Sequence, residues 1–269
     1  MDIDRYGPWA VIAGGSEGVG AEFAEQLARS GLNLVLLARK EEPLLATAET
    51  CRGHGVEVRT LSVDLLAVDA LERIAAITDG LTVGLLVYNA GANTYGHEFV
   101  TGDFDRFQAV IDLNITAQLR LVQHFGAPMR ERRRGGILLV GSLSGYLGSA
   151  QISVYSAAKA FLRIFAEGLW LEMRDYDVDV LELVLGVTRT PAMARAGLRM
   201  DAPGLRVSEP RDVAAQGLAN LANGPVVVVE EFAAVAEKNG GTDRAELLLA
   251  ARARATKLLP PHVDRAVAG

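Results

Sequence analysis

The apolar run WAVIA at residues 9–13 is followed directly by the glycine-rich stretch GGSEGVG at residues 14–20. A short apolar run that stops at glycine is typical of a β-strand buried on both faces. From Val19 to Ser30 the apolar side chains then recur at helical spacing, and Gly31 is placed to end the helix. This stretch therefore predicts a strand, a tight turn and a helix.

The same alternation of strand and helix continues along the chain. Apolar runs predict further strands at residues 34–37, 56–63, 85–87, 137–140, 178–185 and 226–229, and helical spacing predicts helices at residues 42–52, 70–77, 105–132, 154–175 and 211–221. Strands that alternate with helices form a parallel sheet with right-handed crossover connections. We therefore expect an α/β fold, a Rossmann-type doubly wound parallel sheet of about seven strands flanked by helices.

The composition favours one large domain over residues 1–269. Of the chain, 50% is hydrophobic and 22% is charged, which is ample material for one core and bears no mark of disorder. The periodicity fades from Thr188 to Pro210, and we interpret about 188–210 as a substrate loop. A C-terminal extension of about 230–269 follows, with a last helix predicted from Thr242 to Leu259.

Several features of the sequence exclude classes of binding partner and indicate where the protein is located. They are its net charge, its cysteine content and its N-terminus. The formal net charge of -6 argues against general attraction to nucleic-acid phosphates or an anionic membrane. Cys51 is the only cysteine, which excludes an intrachain disulfide framework and favours a reducing compartment, and the four histidines lack metal-ligand spacing. The start of the chain has no signal-peptide pattern, and no apolar run approaches the ~20 residues of a membrane span. We expect a cytoplasmic protein with a small-molecule partner, and no nucleic acid, membrane or metal.

The glycine-rich turn is a candidate phosphate site. Gly14, Gly18 and Gly20 let the backbone pass close to a pyrophosphate at a helix N-terminus, and Ser16 and Val19 lie in the same turn. The spacing G-x-x-x-G-x-G differs from the commoner G-x-G-x-x-G, and a plain strand-to-helix turn explains the glycines equally well. The rest of the chain has to decide between these interpretations.

Two other strand ends add candidate contacts for a dinucleotide. Asp64 follows the third strand, where its carboxylate could bond an adenine amino group or merely cap the next helix. The fourth strand runs into Asn89, Ala90 and Gly91, whose small size would let a cofactor lie across the carboxyl edge of the sheet. Their joint placement favours a ligand site.

The end of the second strand bears on the choice of coenzyme. A fold that binds NAD usually has an acid near this strand end, on the ribose 2′-hydroxyl, whereas this chain has Arg39 and Lys40. Cations here would pair with a 2′-phosphate, so we predict NADP, with NAD possible. Against this, Glu17 could repel the same phosphate, and an exposed Arg–Lys pair is often only solvated.

A serine, a tyrosine and a lysine predict proton chemistry at the same edge. Ser142 closes the fifth strand, and Tyr155 and Lys159 lie at i and i+4 on the following helix. A tyrosine of pKa ~10 is a poor acid at neutral pH, but the ammonium of Lys159 and a nicotinamide's positive charge would lower that pKa. The Ser142 hydroxyl could bond a substrate carbonyl oxygen, and Asn114 could bond a water leading to Lys159.

Together these motifs resemble the short-chain dehydrogenase/reductase family from about Trp9 to Val229. The family pattern T-G-x-x-x-G-x-G corresponds to residues 13–20, N-N-A-G to residues 88–91, the active-site asparagine to Asn114, the serine to Ser142, and Y-x-x-x-K to Tyr155 and Lys159. The context of Arg39, Leu-Leu-Ala-Arg-Lys, is similar to that of hydroxysteroid dehydrogenases and long-chain ketoacyl reductases. The resemblance implies hydride transfer with a nicotinamide coenzyme, a lysine that binds the nicotinamide ribose, and a homodimer or homotetramer.

The chain departs from the family pattern at three points. Ala13 replaces the usual threonine, Tyr88 replaces the first asparagine of N-N-A-G, and the family's P-G after the sixth strand is Leu185-Gly186. The resemblance then assigns the nicotinamide carboxamide to Val187, Thr188 and Thr190.

The substrate loop carries methionine and leucine side chains with interspersed arginines. Such side chains pack against varied apolar shapes, so we predict a hydrophobic ketone or alcohol such as a steroid or a long acyl chain. The arginines could instead bind an acidic group, and the apolar residues could simply pack the loop. The alternative to an enzyme is a catalytically silent, nucleotide-sensing regulator with the same fold.

Overall fold

Seven parallel β-strands form a single sheet in the computed structural model, which describes residues 2–202 and 204–241. In chain order they are β1 (Trp9–Ala13), β2 (Asn33–Ala38), β3 (Val58–Ser62), β4 (Val83–Tyr88), β5 (Gly135–Ser142), β6 (Val178–Leu185) and β7 (Val226–Val228). Their order across the sheet is β3-β2-β1-β4-β5-β6-β7. The predicted doubly wound α/β fold is confirmed.

Helices cover both faces of this sheet. In chain order they are α1 (Ile3–Tyr6), α2 (Gly18–Arg29), α3 (Glu41–Arg52), α4 (Ala70–Thr78), α5 (Phe104–Ile111), α6 (Ala117–Arg132), α7 (Ser153–Arg174), α8 (Pro191–Arg195), α9 (Pro210–Ala219) and α10 (Ala233–Asn239). One core cluster contains Phe23 of α2 and Val213 of α9, and the other contains Phe125 of α6 and Leu162 of α7. Because both faces are covered, all five residues of β1 are buried, which explains its unbroken apolar run.

The predicted helix over residues 105–132 is interrupted. A π-helical turn, Asp112–Thr116, separates α5 from α6 and contains Asn114. Nothing in the apolar spacing predicts this turn. The Asn114 side chain donates to the Ala92 carbonyl oxygen, 22 residues away, and to the Val110 carbonyl oxygen of the preceding turn. Turns of this kind are frequent at functional sites.

Three short or terminal segments also differ from the sequence-based expectation. The substrate loop contains α8, which begins at a Thr190 N-cap with Pro191 in its first turn. The helices α1 and α10 are too short for apolar periodicity to predict. The helix predicted from Thr242 to Leu259 lies outside the described residues. Among the helices that the structure describes, none combines the length and apolar character needed to cross a membrane.

Candidate active site

The residues singled out in the sequence meet at the carboxyl edge of the sheet, beside the point where the strand order reverses. The chain moves from β1 outward to β2 and β3, then returns so that β4 pairs with the other side of β1. Open α/β sheets bind ligands in the crevice at such a switch point. Here the Asn89 side-chain amide donates to the Gly14 carbonyl oxygen at 3.0 Å, which ties the turn after β4 to the glycine-rich turn after β1.

The glycine-rich turn needs its glycines. Gly14 and Gly18 have φ values of +84° and +58°, in the left-handed region that favours glycine. A Cβ on Gly20 would overlap the Gly14 carbonyl oxygen, so α2 could not pack this close to β1 with a larger residue. The spacing is therefore required by the turn itself, as well as being compatible with a bound phosphate.

The N-terminus of α2 is open to an anion. No side chain of the described residues caps this 12-residue helix, and its first turn has no acidic residue. Free N–H groups and the helix dipole favour negative charge at such a terminus. Val19 is buried there, and the Ser16 carbonyl oxygen accepts a hydrogen bond from the Thr47 hydroxyl at 3.0 Å.

Glu17, the acid that could repel a phosphate, has a partner. Its carboxylate accepts two hydrogen bonds from the Arg195 guanidinium of α8, one of them at 3.0 Å. The bonds from Arg195 hold the pKa of Glu17 below its usual value. Arg195 thus offsets the negative charge of Glu17 beside the glycine-rich turn.

The ends of β2 and β3 are exposed. Both Arg39 and Lys40 reach solvent, and the Ser62 hydroxyl donates to the Arg39 carbonyl oxygen at 3.1 Å. Asp64 is also exposed, and its Oδ1 accepts a hydrogen bond from the Leu66 N–H at 3.0 Å. This bond lies within the turn after β3, whereas the N-cap position of α4 is occupied by Asp69, so Asp64 does not cap the next helix.

Ser142, Tyr155 and Lys159 lie together between β5 and α7. Tyr155 shares a hydrogen bond with the Ser142 hydroxyl. Ser142 Oγ accepts a bond from the Ser144 N–H at 3.2 Å. Lys159 Nζ lies 5.7 Å from the centroid of the Tyr155 ring and donates to the Val140 carbonyl oxygen at 2.9 Å.

Asn114 completes this group from the opposite side. Its Nδ2 donates to the carbonyl oxygens of Ala92 and Val110, both at 2.9 Å, whereas its buried Oδ1 has no partner in the described part of the chain. A Cβ on Gly91 would lie 2.6 Å from Asn114 Oδ1 and 2.7 Å from Lys159 Nζ. Only a glycine therefore fits between these two polar groups.

Burial dominates the ionisation of the tyrosine and the lysine. It raises the pKa of Tyr155, against the lowering effect of the Ser142 hydrogen bond. It lowers the pKa of Lys159 to about 8, against the raising effect of Glu182. In the protein chain by itself, burial has a larger effect on the pKa of Tyr155 than Ser142 has. The lowering by the Lys159 ammonium together with a nicotinamide's positive charge stays a prediction.

The start of the substrate loop lies over the glycine-rich turn. A Cβ on Gly18 would lie 3.0 Å from Thr190 Cγ2. The hydroxyl oxygen of Thr190 caps α8 by accepting from the Met193 N–H at 3.2 Å, and the Thr188 hydroxyl donates to the Gly186 carbonyl oxygen at 3.3 Å. The Val187 carbonyl oxygen accepts from the Ser208 N–H at 2.9 Å. The two threonine hydroxyls assigned to the carboxamide are thus engaged within the loop.

One buried residue near the site, Glu182, is not among the candidates that the sequence predicts. This side chain lies on β6, is 0% exposed and has both carboxylate oxygens without a hydrogen-bond partner among the described residues. The available signal was a single acid inside the apolar run VDVLELVL. A charged residue at a buried strand position is unusual unless something pairs with it.

Comparison with known proteins shows what this chain is similar to. The family model for short chain dehydrogenases matches residues 8–200. A very-long-chain 3-oxoacyl-CoA reductase of Neurospora crassa is 35% identical over 196 residues, which cover 71% of this chain and 59% of that protein. A 7beta-hydroxysteroid dehydrogenase of Clostridium sardiniense is 32% identical over 189 residues, which cover 70% of this chain and 72% of that protein. The match thus spans about three-fifths of the Neurospora protein.

Solved structures share the whole architecture. That of a 7beta-hydroxysteroid dehydrogenase has a TM-score of 0.84 at 26% identity and covers 92% of this chain and 98% of its own. A short-chain dehydrogenase from Sphingobium yanoikuyae in complex with NADPH has a TM-score of 0.77 at 29% identity and covers 97% and 98%. A 3-oxoacyl-[acyl-carrier protein] reductase from Brucella melitensis in complex with NAD has a TM-score of 0.74 at 25% identity and covers 86% and 98%.

Proposed function

The chain belongs to the short-chain dehydrogenase/reductase family, and from this premise we propose that it is an oxidoreductase that transfers hydride between NADP(H) and a ketone or secondary alcohol. The observation that carries the proposal is the meeting of Ser142, Tyr155 and Lys159 between β5 and α7, with Asn114 facing Lys159 across Gly91. A proton donor, a hydrogen-bond donor and a cation that lie together suit carbonyl reduction.

In the proposed reaction each side chain has a separate task. A bound nicotinamide supplies the hydride in reduction and accepts it in oxidation. The Tyr155 hydroxyl gives a proton to the carbonyl oxygen in reduction, and its phenolate takes one from the alcohol in oxidation. Ser142 donates a hydrogen bond to the same oxygen. The Ser144 N–H holds Ser142 Oγ from the other side, which fixes the position of that hydroxyl.

The residues at the carboxyl edge fit a dinucleotide. The uncapped N-terminus of α2 and the turn through Gly14, Ser16 and Gly20 suit the pyrophosphate. The turn from Asn89 to Gly91 would lie along the coenzyme, and Lys159 would bind the nicotinamide ribose. The unpartnered Oδ1 of Asn114 is a free acceptor beside that ammonium. The backbone of residues 187–190 is the remaining candidate contact for the carboxamide.

We favour NADP over NAD. Arg39 and Lys40 are exposed at the end of β2, where a 2′-phosphate would lie. The objection that Glu17 repels this phosphate is weakened, because Arg195 binds its carboxylate. Similar structures contain NADPH in one case and NAD in another, so likeness alone does not decide the coenzyme.

The substrate is proposed to be hydrophobic, with a steroid or a long-chain acyl ketone as leading cases. Met193 of the substrate loop is 38% exposed and available to pack against an apolar molecule. Three of the loop arginines are engaged: Arg189 by the Glu209 carboxylate at 2.8 Å, Arg195 by Glu17, and Arg206 by the Glu231 carbonyl oxygen at 2.8 Å. This weighs against an acidic substrate. The similar proteins named for hydroxysteroid and 3-oxoacyl-CoA chemistry point in the same direction.

A panel of ketones and alcohols tests this proposal. Steroids, long-chain acyl ketones and sugars would be assayed through coenzyme absorbance, with NADP(H) and with NAD(H). We expect turnover of the hydrophobic compounds with NADP(H). Activity confined to sugars would contradict the apolar substrate. Coenzyme binding without turnover of any compound would favour the silent regulator.

We further propose one cytoplasmic domain that assembles as a homodimer or homotetramer. On α7, Phe161, Ile164 and Leu171 are 41%, 61% and 60% exposed, which is costly for a solitary chain. Leu162 of the same helix packs in the core, so the apolar residues of α7 lie on more than one face. Light scattering at micromolar concentration should give a multiple of 28.7 kDa, and a monomeric mass would contradict assembly.

A further inference from the structure

A buried carboxylate lies behind the proposed proton-transfer site. Glu182 has no exposed surface, and neither of its oxygens has a hydrogen-bond partner in the part of the chain that the structure describes. A buried charge without hydrogen bonds is strongly unfavourable unless another charge compensates it. We therefore expect a positively charged group close to the Glu182 carboxylate.

The packing directs this carboxylate towards the peptide that Lys159 binds. A Cβ on Gly141 would overlap Glu182 Oε1, so the carboxylate occupies the space above Gly141 that any other residue would fill. Lys159 Nζ donates to the carbonyl oxygen of Val140, in the peptide unit that joins Val140 to Gly141. The carboxylate and the ammonium thus both lie against the same peptide unit of β5.

Within residues 2–202 and 204–241, three charged groups act on Glu182, and all belong to α7. They are Lys159, Arg163 and Glu167, at successive intervals of four residues along the helix. The neighbouring strands, β5 (GGILLVGS) and β7 (VVV), contribute no titratable side chain. Lys159 is the buried cation of the three, whereas Arg163 and Glu167 are partly exposed.

The ionisation of the two buried groups is coupled. Burial raises the pKa of Glu182 to about 7, and Lys159 and Arg163 oppose that rise while Glu167 adds to it. Burial lowers the pKa of Lys159, and Glu182 opposes that fall. Each charge therefore stabilises the charged form of the other.

We propose that Glu182 is a positioning residue whose buried carboxylate is the counter-charge that keeps Lys159 protonated beside Tyr155. The inference rests on the proposed function, because the role of Lys159 in binding the coenzyme comes from there. Without the carboxylate, the Lys159 ammonium would lose its proton at lower pH, because burial then acts on it without compensation. The chain would then lose coenzyme affinity at a pH where the parent still binds.

The test is a direct titration of Lys159 by NMR. The chain has only four lysines, Lys40, Lys159, Lys238 and Lys257, so ¹³C-labelled lysine gives few signals. In the parent we expect an inflection for Lys159 near pH 8. In Glu182→Gln, which keeps the side-chain volume, the inflection should fall by about one pH unit or more. Glu172→Gln removes an exposed carboxylate of the same helix and should leave the inflection where it was.

An inflection in Glu182→Gln that coincides with the parent's would overturn the inference, even if the variant is less stable. If Glu182→Gln does not fold, Gly141→Ala supplies the test, because its added Cβ must displace the carboxylate. That variant should also lower the inflection, and an unchanged value would again overturn the inference.

Fluorescence titration with NADPH separates this inference from the proposed function. In Glu182→Gln the loss of NADPH affinity with rising pH should begin at lower pH than in the parent. A parent chain that binds no NADPH would contradict the proposed function, and the NMR titration would still decide the role of Glu182.

Discussion

Around β1 and β4 the carboxyl edge of the sheet presents mainly backbone, whereas between β5 and α7 it presents buried side chains. On the first side, the surface consists of the glycine-rich turn and the free N–H groups of α2. Charged side chains such as Arg39 lie at the exposed rim of this surface. On the second side Lys159 and Glu182 are both withdrawn from water. Charges interact weakly in water and strongly when buried. Substitutions on the coenzyme side should therefore change coenzyme affinity or preference by small factors. Substitutions on the proton-transfer side should change turnover by large factors.

The largest effect is expected at the tyrosine. Tyr155→Phe removes the proposed proton donor and little else, so ketone reduction should fall by about 10²–10⁴-fold with nearly unchanged NADPH affinity. Single-turnover kinetics and coenzyme fluorescence measure the two quantities separately. Tyr176→Phe is the matched control, since Tyr176 contacts Arg130 away from the site. Near-normal turnover in Tyr155→Phe would contradict the division between the two sides.

Lys159→Ala should break that division, because the proposed function gives its one ammonium a task on both sides. We expect turnover and NADPH affinity to fall together, by more than tenfold each, since a charge-assisted hydrogen bond contributes about 1.5–3 kcal/mol. Kinetics and NADPH titration at one pH measure this. Unchanged NADPH affinity in the variant would show that Lys159 does not bind the coenzyme.

The buried side should also show an unusual dependence of stability on pH. The pKa of Glu182 is raised to about 7, so the folded chain binds its proton more tightly than the unfolded chain. This contribution to stability is fully present below the ordinary carboxyl pKa and is lost as the pH rises through about 7. The slope is at most about 1.4 kcal/mol per pH unit.

Urea unfolding of the parent and Glu182→Gln on either side of that range measures this contribution. We expect the difference in unfolding free energy between the two chains to shift in favour of the variant as the pH rises. Glu172→Gln should run parallel to the parent. A difference that is constant with pH would mean that Glu182 ionises like an ordinary carboxyl group.

A smaller, graded effect is expected at the exposed rim. Arg39→Asp replaces a partner for a 2′-phosphate by an acceptor for ribose hydroxyls, so preference should move from NADP towards NAD by at least about tenfold. The ratio of kcat/KM for the two coenzymes measures it. An unchanged ratio would leave Lys40 or Glu17 as the determinant.

The smallest effect is expected from the ion pair between Glu17 and Arg195. Arg195→Ala would unmask the carboxylate of Glu17 beside the 2′-phosphate, but exposed pairs contribute only about 0.2–1 kcal/mol. NADPH affinity should therefore fall by no more than about fivefold, and less at high salt. Arg199→Ala, on the same loop, is the control. A loss of a hundredfold would show that Arg195 itself binds the coenzyme.

The two sides also differ in how far the sequence predicts them. The buried strands, the glycine-rich turn and the Tyr155–Lys159 spacing are local patterns, and the structure places them together as expected. The meaning of Glu182 depends on a cation that lies 23 residues away in the sequence. Local sequence patterns therefore predict the coenzyme side of the site better than the proton-transfer side.

Two further features depend on distant contacts in the same way. The π-helical turn contains Asn114, whose side chain donates to the Ala92 carbonyl oxygen, 22 residues away. The pair of Glu17 and Arg195 joins residues 178 apart. Such contacts follow from the way α7, the loops and the sheet pack, which no local spacing specifies.

The most direct test of the proposed hydride transfer uses NADPH that carries deuterium at its transferable ring position. The chain would be incubated with this coenzyme and a hydrophobic ketone, and the alcohol would be analysed by mass spectrometry. We predict one deuterium on the carbon that bore the carbonyl oxygen, and labelled alcohol formed about 10²–10⁴ times more slowly by Tyr155→Phe. Alcohol formed without the label, or labelled alcohol formed by Tyr155→Phe as fast as by the parent, would contradict the account.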